Sequence, residues 1–145
     1  LQAMILTNEK EMVLTPTYHV FEMYNVHQDA EYLASDCLTP KTVCDRKVDV
    51  PQVDVTASRK DGKMNISLVN TDLKKPMKVL VGFDNPKAVS EILSARVLTS
   101  KDARDYNDFG SADKVAPAQF KAWKLTKAGL ELTLPPCSVV AISAK

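Results

Sequence analysis

The feature that most constrains the fold is an alternation of apolar and polar residues that runs from Gln52 to the C-terminus. Alternation of period two is typical of strands with one buried face. The dipeptide Asp61-Gly62 between two such runs favours a tight hairpin turn. Further runs follow at intervals set by turn residues, and the predicted strands cover residues 52–58, 63–70, 77–83, 88–99, 120–125, 130–134 and 138–142. Seven or eight short strands of this kind predict an all-β fold, an antiparallel and jelly-roll-like β-sandwich.

The first 30 residues follow another period. Residues 1–7 form a short apolar run that predicts a buried strand, and a loop is expected after it. Thr15 is a candidate N-cap, and Pro16 stands at the first helical position, where its missing N–H is harmless. The apolar positions that follow have helical spacing: Val20, Met23, Tyr24 and His27, with Phe21 widening the stripe. One strand and one helix cannot close a core, so we expect this βα unit to belong to a larger α/β domain and the chain to be part of a longer protein.

Residues 31–50 are polar and are followed by Pro51, which suggests a linker between the two regions. The 19 lysine and arginine residues almost balance the 18 acidic residues, so the charge does not indicate binding to nucleic acid or to an anionic membrane. No apolar run approaches the length that spans a bilayer.

The chain has three cysteines, Cys37, Cys44 and Cys137. An odd number argues against a complete disulfide framework. Three free thiols, a Cys37–Cys44 bridge and, least favoured, a metal site all remain open, because no CxxC or HxxxH spacing supports metal binding.

Candidate catalytic residues are few, and each also has a structural explanation. His19 and Glu22 are one helical turn apart, but one histidine and one glutamate do not fill the coordination sphere of a metal, so we expect both on a solvated or barrel-facing flank of the helix. His27 lies on the apolar stripe and is expected to be packed and hydrogen-bonded. Asn8-Glu9 follows the first predicted strand, where α/β barrels place catalytic residues, although a turn explains the pair better.

Two further motifs concern carbohydrate. Asn65-Ile66-Ser67 matches the N-glycosylation pattern but falls inside a predicted strand, so we discount it. Trp123 could stack on a sugar if exposed, but core packing is the commoner use of a tryptophan and is the prediction. The sequence shows no glycine-rich phosphate loop and no nucleophile elbow. The residues themselves therefore predict no catalytic, cofactor-binding or metal-binding position.

Four stretches resemble the C-terminal end of α-L-arabinofuranosidases of glycoside hydrolase family 51. Residues 15–24, TPTYHVFEMY, are similar to the family's TPTY-x-VFEMY segment at the start of the last barrel helix. Residues 105–117 resemble its N-x-F … V-x-P stretch, although Gly110-Ser111-Ala112 stands where Glu-Asn-Pro is common. Residues 134–140, LPPCSVV, resemble its closing strand, and residues 1–7 its last barrel strand.

The resemblance implies two parts: residues 1–30 as the last strand and helix of a catalytic (β/α)8 barrel, and residues 31–145 as a C-terminal sandwich. It implies that the helix stripe packs against the barrel and that the loop from Thr7 to Thr15 lies on the active-site face. It also implies a retaining enzyme that removes terminal arabinofuranosyl groups from arabinan or arabinoxylan. Cytoplasmic and exported locations both remain open.

Such enzymes use two glutamates on earlier barrel strands. The glutamates of this chain match neither of those positions: Glu9, Glu11, Glu22, Glu31, Glu91 and Glu131. The chain is then expected to be inactive alone, with the rest of the parent chain as its partner and with homo-oligomer formation, which is common in the family. An uncovered sheet edge and a helix stripe without its partner are expected to favour self-association of the isolated chain. The alternatives are a carbohydrate-binding sandwich and, more distantly, an adhesion domain.

Overall fold

The computed structural model describes residues 3–43, 49–85 and 87–145. Strands dominate, and the N-terminal part adds one α-helix and one 3-10 turn. In chain order the elements are β1 Ile5–Thr7, β2 Met12–Leu14, α1 Pro16–Tyr24, the 3-10 turn Asn25–His27, β3 Glu31–Tyr32, β4 Lys41–Val43, β5 Asp49–Pro51, β6 Val53–Lys60, β7 Lys63–Asn70, β8 Met77–Val81, β9 Ile92–Thr99, β10 Ala118–Gln119, β11 Trp123–Thr126, β12 Gly129–Leu134 and β13 Ser138–Ala144.

Two antiparallel sheets form the body of the molecule, which confirms the predicted β-sandwich. The larger sheet has the order β10-β9-β13-β7-β6-β3, and the smaller has the order β11-β12-β8. Alternate side chains of both sheets meet in one core, whose fully buried members include Ile66, Leu68, Leu130, Leu134 and Val140. Each such side chain contributes about 1.5–3 kcal/mol on burial, so this core is the main source of stability.

The hairpin between β6 and β7 follows directly from local sequence. Lys60 pairs with Lys63, which leaves Asp61 and Gly62 as a two-residue loop. Both loop residues have positive φ, 50° and 72°, as the hairpin turn of type I′ requires. The predicted turn and the return strand at 63–70 are confirmed.

The segment predicted as a linker contains paired strands instead. β3 joins the edge of the larger sheet beside β6, and β4 pairs with β5 in a separate two-stranded ribbon. These strands have only two or three residues, too few to show a period in sequence. The strand predicted at 88–99 begins only at Ile92, and the preceding N–H groups of Ser90 and Glu91 both donate to the carbonyl of Lys145.

The helix begins as predicted. Thr15 is its N-cap, and its Oγ1 accepts a hydrogen bond of 3.4 Å from the backbone N–H of Tyr18. The preceding residues differ from the prediction: β1 has three residues, leaves Ile5 41% exposed and pairs antiparallel with β2, where a loop was expected. The N-terminus is therefore a hairpin followed by a helix. Within the described ranges, no helix is long and apolar enough to cross a membrane.

Candidate functional site

The helix α1 and the 3-10 turn cover the outer face of the larger sheet. Together with the β1–β2 hairpin they form residues 3–30, which we call the N-terminal segment. Met23 of α1 is buried in a second apolar cluster with Leu98 and Val115, against which Val20 and Val139 pack. The stripe was expected to pack against the barrel, but Val20 and Met23 pack against the sandwich instead, whereas Phe21, which widens the stripe, is 62% exposed.

An ion pair ties the helix to the sheet beside this cluster. Arg96 of β9 donates to both carboxylate oxygens of Glu22, with Nη1–Oε1 at 2.7 Å and Nη2–Oε2 at 3.1 Å. The hydrogen bond from Arg96 holds the pKa of Glu22 below its usual value, although partial burial acts in the opposite direction. Both side chains are partly exposed, at 42% and 38%, so the pair orients the helix more than it stabilises the fold.

His27 forms a second connection, at the end of the 3-10 turn. Its Nδ1 lies 2.7 Å from Ser58 Oγ on β6, and its Nε2 lies 2.8 Å from Ser67 Oγ on β7. Burial lowers the pKa of the imidazole, so the neutral ring is favoured, with one nitrogen donating and the other accepting. The prediction of a packed, hydrogen-bonded histidine is confirmed.

Strand β7 is buried on both faces because of this covering. Asn65 is 3% exposed, and its amide donates to the carbonyl of Val26 in the 3-10 turn at 3.3 Å. Its Oδ1 accepts from Ser143 Oγ at 2.7 Å. The side-chain amide is thus occupied within the fold, which gives a physical reason to discount the glycosylation pattern.

Asn107 belongs to one of the family motifs, and the structure shows what it contacts. It is 2% exposed and donates from Nδ2 to the carbonyls of Leu14 at 2.9 Å and Val115 at 2.8 Å. Its Oδ1 accepts from the N–H of Val115 at 2.8 Å. Asn107 therefore joins the loop after β9 to the end of the N-terminal hairpin. The motif singled out this stretch, but an asparagine in a polar stretch does not indicate which distant backbone groups it contacts.

His19 of α1 is buried and does not form a hydrogen bond with Glu22, although the two residues are one helical turn apart. It is 8% exposed, and neither ring nitrogen has a hydrogen-bond partner. Glu22 Oε2 lies 3.9 Å from Nδ1, too far for a hydrogen bond, because Arg96 holds the carboxylate. Arg96, and not His19, is therefore the hydrogen-bond partner of the Glu22 carboxylate.

Asn8 and Glu9 form the tip of the β1–β2 hairpin. Asn8 Oδ1 accepts from the backbone N–H groups of Lys10 and Glu11 at 2.8 and 2.7 Å, and its Nδ2 donates to Glu11 Oε2 at 3.0 Å. This is an Asx-type turn, in which a short amide side chain satisfies the local backbone. The explanation of the Asn-Glu pair as a turn is confirmed.

Trp123 is not a core residue, so that prediction is wrong. Its side chain is 36% exposed, and its indole N–H donates to the carbonyl of Phe120 at 3.2 Å. Trp123 pairs with Leu132 across an edge strand, β11, which has a neighbour on one side only. A side chain on an edge strand is only partly covered, because no strand lies on its other side. Alternation along the sequence does not indicate which strand of a sheet is at the edge.

The structure describes two of the three cysteines. Cys37 and Cys137 are free thiols, and Cys37 Sγ lies 3.5 Å from the carbonyl of Val53. Cys44, the other half of the bridge that the sequence left open, lies outside the described residues. Among the residues with described positions, no group of three or more histidine, cysteine or acidic side chains could hold a metal ion.

The side of the N-terminal segment that faces solvent is apolar. Met12 and Phe21 are each 62% exposed, and Met4 and Ile5 are about 40% exposed. An open groove of about 440 Å³ runs along the helix and is lined by Met4, Tyr18, Phe21, Glu22, Tyr24, Asn25 and Gln28. The helix thus has one face on the sandwich and one apolar face without a partner in the described chain.

Comparison with known proteins places these features in a family. Residues 1–138 match the family described as the alpha-L-arabinofuranosidase C-terminal domain. A curated relative from Bacteroides ovatus, an intracellular exo-alpha-L-arabinofuranosidase, is 44% identical over 146 residues, which cover 98% of this chain and 27% of the relative. The chain therefore spans about a quarter of the length of that relative.

Solved structures show the same fold. The crystal structure of a family GH51 arabinofuranosidase from Xanthomonas axonopodis pv. citri superposes with a TM-score of 0.91 at 34% identity, covering 100% of this chain and 29% of that one. A family 51 α-L-arabinofuranosidase from Bifidobacterium longum gives 0.86 at 18% identity, covering 99% and 28%. The second likeness shows the fold alone.

Proposed function

This chain belongs to the alpha-L-arabinofuranosidase C-terminal domain family, and from that premise we propose that it is the accessory domain of a larger retaining α-L-arabinofuranosidase whose catalytic glutamates lie outside it. The parent would remove terminal arabinofuranosyl groups from arabinan or arabinoxylan. The shares of 27% and 29% that the chain covers in two relatives leave ample length for a catalytic domain.

The observation that carries the proposal is the two-sided helix. One side of α1 is fixed to the sandwich by Met23 and by the Glu22–Arg96 pair, while Phe21 on the other side is 62% exposed. Exposed apolar patches of this kind mark surfaces that bind another protein unit. In the proposed parent, residues 1–30 complete the catalytic barrel and residues 31–145 form the sandwich, so α1 is the part shared by both.

Activity assays of the full-length protein test this function. The full-length protein is expected to hydrolyse an aryl α-L-arabinofuranoside, and the 145-residue chain, once shown to unfold cooperatively, is expected to be inactive. Cleavage by the short chain, or no cleavage by the full-length protein, would contradict the proposal.

The shared helix is tested by Phe21→Glu in the full-length protein. A charge at a buried domain contact should lower the midpoint of thermal unfolding and separate the unfolding of barrel and sandwich. Tyr32→Glu is the matched control, because Tyr32 is 71% exposed on the edge strand β3. Equal effects of the two substitutions would argue against a barrel contact at Phe21.

Homo-oligomer formation remains part of the proposal and is measured by the sedimentation of the full-length protein.

The second candidate function, a carbohydrate-binding sandwich, is favoured by the exposure of Trp123. Affinity electrophoresis of the isolated chain, through gels with and without arabinan, tests this second function. A binding module would migrate more slowly in the arabinan gel, and Trp123→Ala would abolish that difference.

A further inference from the structure

His27 joins the N-terminal segment to two strands of the larger sheet at once. Its Nδ1 lies 2.7 Å from Ser58 Oγ on β6, and its Nε2 lies 2.8 Å from Ser67 Oγ on β7. Ser58 is 4% exposed and Ser67 is fully buried, so water has little access to the two hydroxyl groups. The contact between segment and sheet therefore depends on how one imidazole shares its hydrogen bonds with two serines.

This arrangement suits a neutral imidazole and not its cation. A neutral ring donates from one nitrogen and accepts a serine hydroxyl proton at the other. A protonated ring donates from both nitrogens, so the hydroxyl proton that it had accepted loses its acceptor. In the part of the chain that the structure describes, neither hydroxyl group has a second partner. Protonation thus buries a charge and leaves a buried donor unpaired, and both changes are unfavourable.

The strands beneath His27 do not supply an opposite charge in contact with the ring. Among the described residues, the ion pairs do not include His27. The outer faces of β6 and β7 carry one acidic and two cationic side chains besides the serines, namely Asp54, Lys60 and Lys63. Lys60 Nζ donates to the carbonyl of Gln28, the residue after His27, at 2.8 Å. The nearest cation therefore repels an imidazolium.

The titratable groups of the segment itself do not stabilise the cation either. The ring of Tyr24 lies 5.6 Å from that of His27. Burial, and to a smaller extent the charge of Asp54, raises the pKa of the Tyr24 phenol, so this group is neutral. The carboxylates closest in sequence, Asp29 and Glu31, are both exposed. In agreement with these surroundings, burial lowers the pKa of His27.

The attachment of α1 to the sheet persists to lower pH than the contact through His27. The hydrogen bond from Arg96 lowers the pKa of Glu22, and the ordinary pKa of a glutamate is already about two units below that of a histidine. Met23 makes an apolar contact, which does not titrate. In mild acid the helix therefore stays on the sheet while the connection through His27 weakens.

We propose that His27 is an acid-sensitive lock, whose protonation releases the 3-10 turn and β3 from β6 and β7 while α1 and the sandwich core stay folded. β3 offers little resistance, because it pairs with β6 over only two residues. Residue 30 is the proposed boundary between barrel and sandwich, so the lock lies at the junction of the two parts in the parent. That position rests on the proposed function, whereas the lock itself does not.

Hydrogen exchange of the full-length protein, at several pH values from about 7 to 4, tests the lock. Protection factors in residues 25–33 report the opening, among them that of the Leu33 N–H, which donates to the carbonyl of Ala57. They should fall by up to about tenfold per pH unit between the unfolded-state pKa of histidine and the lower pKa of His27, and then level off. Protection in β12 and β13 should stay unchanged.

Two variants identify the group that titrates. His27→Gln keeps a hydrogen-bond donor and an acceptor but does not titrate, so its protection factors in residues 25–33 should not depend on pH. His19→Gln is the matched control, because His19 is the other histidine of the chain and has no hydrogen-bond partner. It should keep the pH dependence of the unsubstituted protein.

Each other result overturns the lock. Protection in residues 25–33 that is independent of pH in the unsubstituted protein would do so, as would a dependence that survives in His27→Gln or disappears in His19→Gln. A simultaneous loss of protection in β12 and β13 would show that acid unfolds the whole sandwich. The measurements on the unsubstituted protein remain decisive if a variant does not fold. Cleavage of an aryl α-L-arabinofuranoside is a separate measurement, so failure of the proposed function is distinguishable from failure of the lock.

Discussion

Arg96 of β9 holds both carboxylate oxygens of Glu22 on α1, at 2.7 and 3.1 Å, across 74 residues of sequence. This pair joins the helix that the proposed barrel requires to the sheet of the sandwich. Because a bidentate guanidinium contact fixes direction as well as distance, it sets how the helix crosses the sheet. Relative movement of the two parts would have to break it.

Glu22→Gln is expected to destabilise the protein by about 0.2–1 kcal/mol, the range for a partly exposed pair. The pKa of Glu22 is lowered in the folded state, chiefly by the hydrogen bond from Arg96. Its stabilisation is therefore fully present above the unfolded-state pKa and is lost as pH falls through the lower, folded-state pKa. Urea unfolding at several pH values between 7 and 3 should show the difference between the unsubstituted protein and Glu22→Gln shrinking towards acid. A difference that stays constant over this range would contradict the assignment.

His27→Leu is expected to cost about 1–3 kcal/mol, because Ser67, which is fully buried, and Ser58 both lose their partner. Burial lowers the pKa of His27 in the folded state, so the unfolded chain binds the proton more readily. The stabilisation that His27 provides is complete above its unfolded-state pKa and is lost as pH falls through its folded-state pKa. Denaturant unfolding at neutral and mildly acidic pH, compared with His27→Leu, measures both effects. A variant as stable as the original would refute this role.

His19→Leu, unlike His27→Leu, should not destabilise the protein. Both ring nitrogens of His19 are buried without partners, so the imidazole carries a desolvation cost that no hydrogen bond offsets. Leucine keeps the bulk and removes that cost, and we expect unchanged stability or a gain of up to about 1 kcal/mol. The two leucine variants, measured side by side by thermal unfolding, serve as controls for each other. A clear loss in His19→Leu would mean that the ring has a partner in solution.

Asn107→Ala is expected to cost about 2–3 kcal/mol, since it leaves the carbonyls of Leu14 and Val115 and the N–H of Val115 without their side-chain partner. The loss should be local as well as global. Hydrogen exchange should accelerate in residues 100–117 and in the β1–β2 hairpin together. Faster exchange in the loop with an unchanged hairpin would show that Asn107 does not couple them.

Local patterns in the sequence determined the strands of the sandwich. The period of two and the Asp61-Gly62 turn placed β6 and β7 within one or two residues, and Thr15 with Pro16 placed the start of α1. These signals are reliable because they act between residues that are close in the chain: a turn needs two particular φ values, and a cap needs one side-chain oxygen. The family motifs extended the prediction from single strands to the fold as a whole. The domain boundary at residue 30 and the lack of catalytic residues remain predictions.

Only the tertiary structure decided which faces are covered. Val20 and Met23 could have faced a barrel or the sandwich, and Trp123 could have faced the core or the solvent. Ser67 belongs to a strand whose outer face would be exposed without His27, which lies 40 residues away in sequence. The burial of a surface depends on which distant segment packs against it. The periodicity of one segment does not indicate which other segment that is. The amphipathic pattern therefore determined that α1 has an apolar side, and the packing of the folded chain determined what that side contacts.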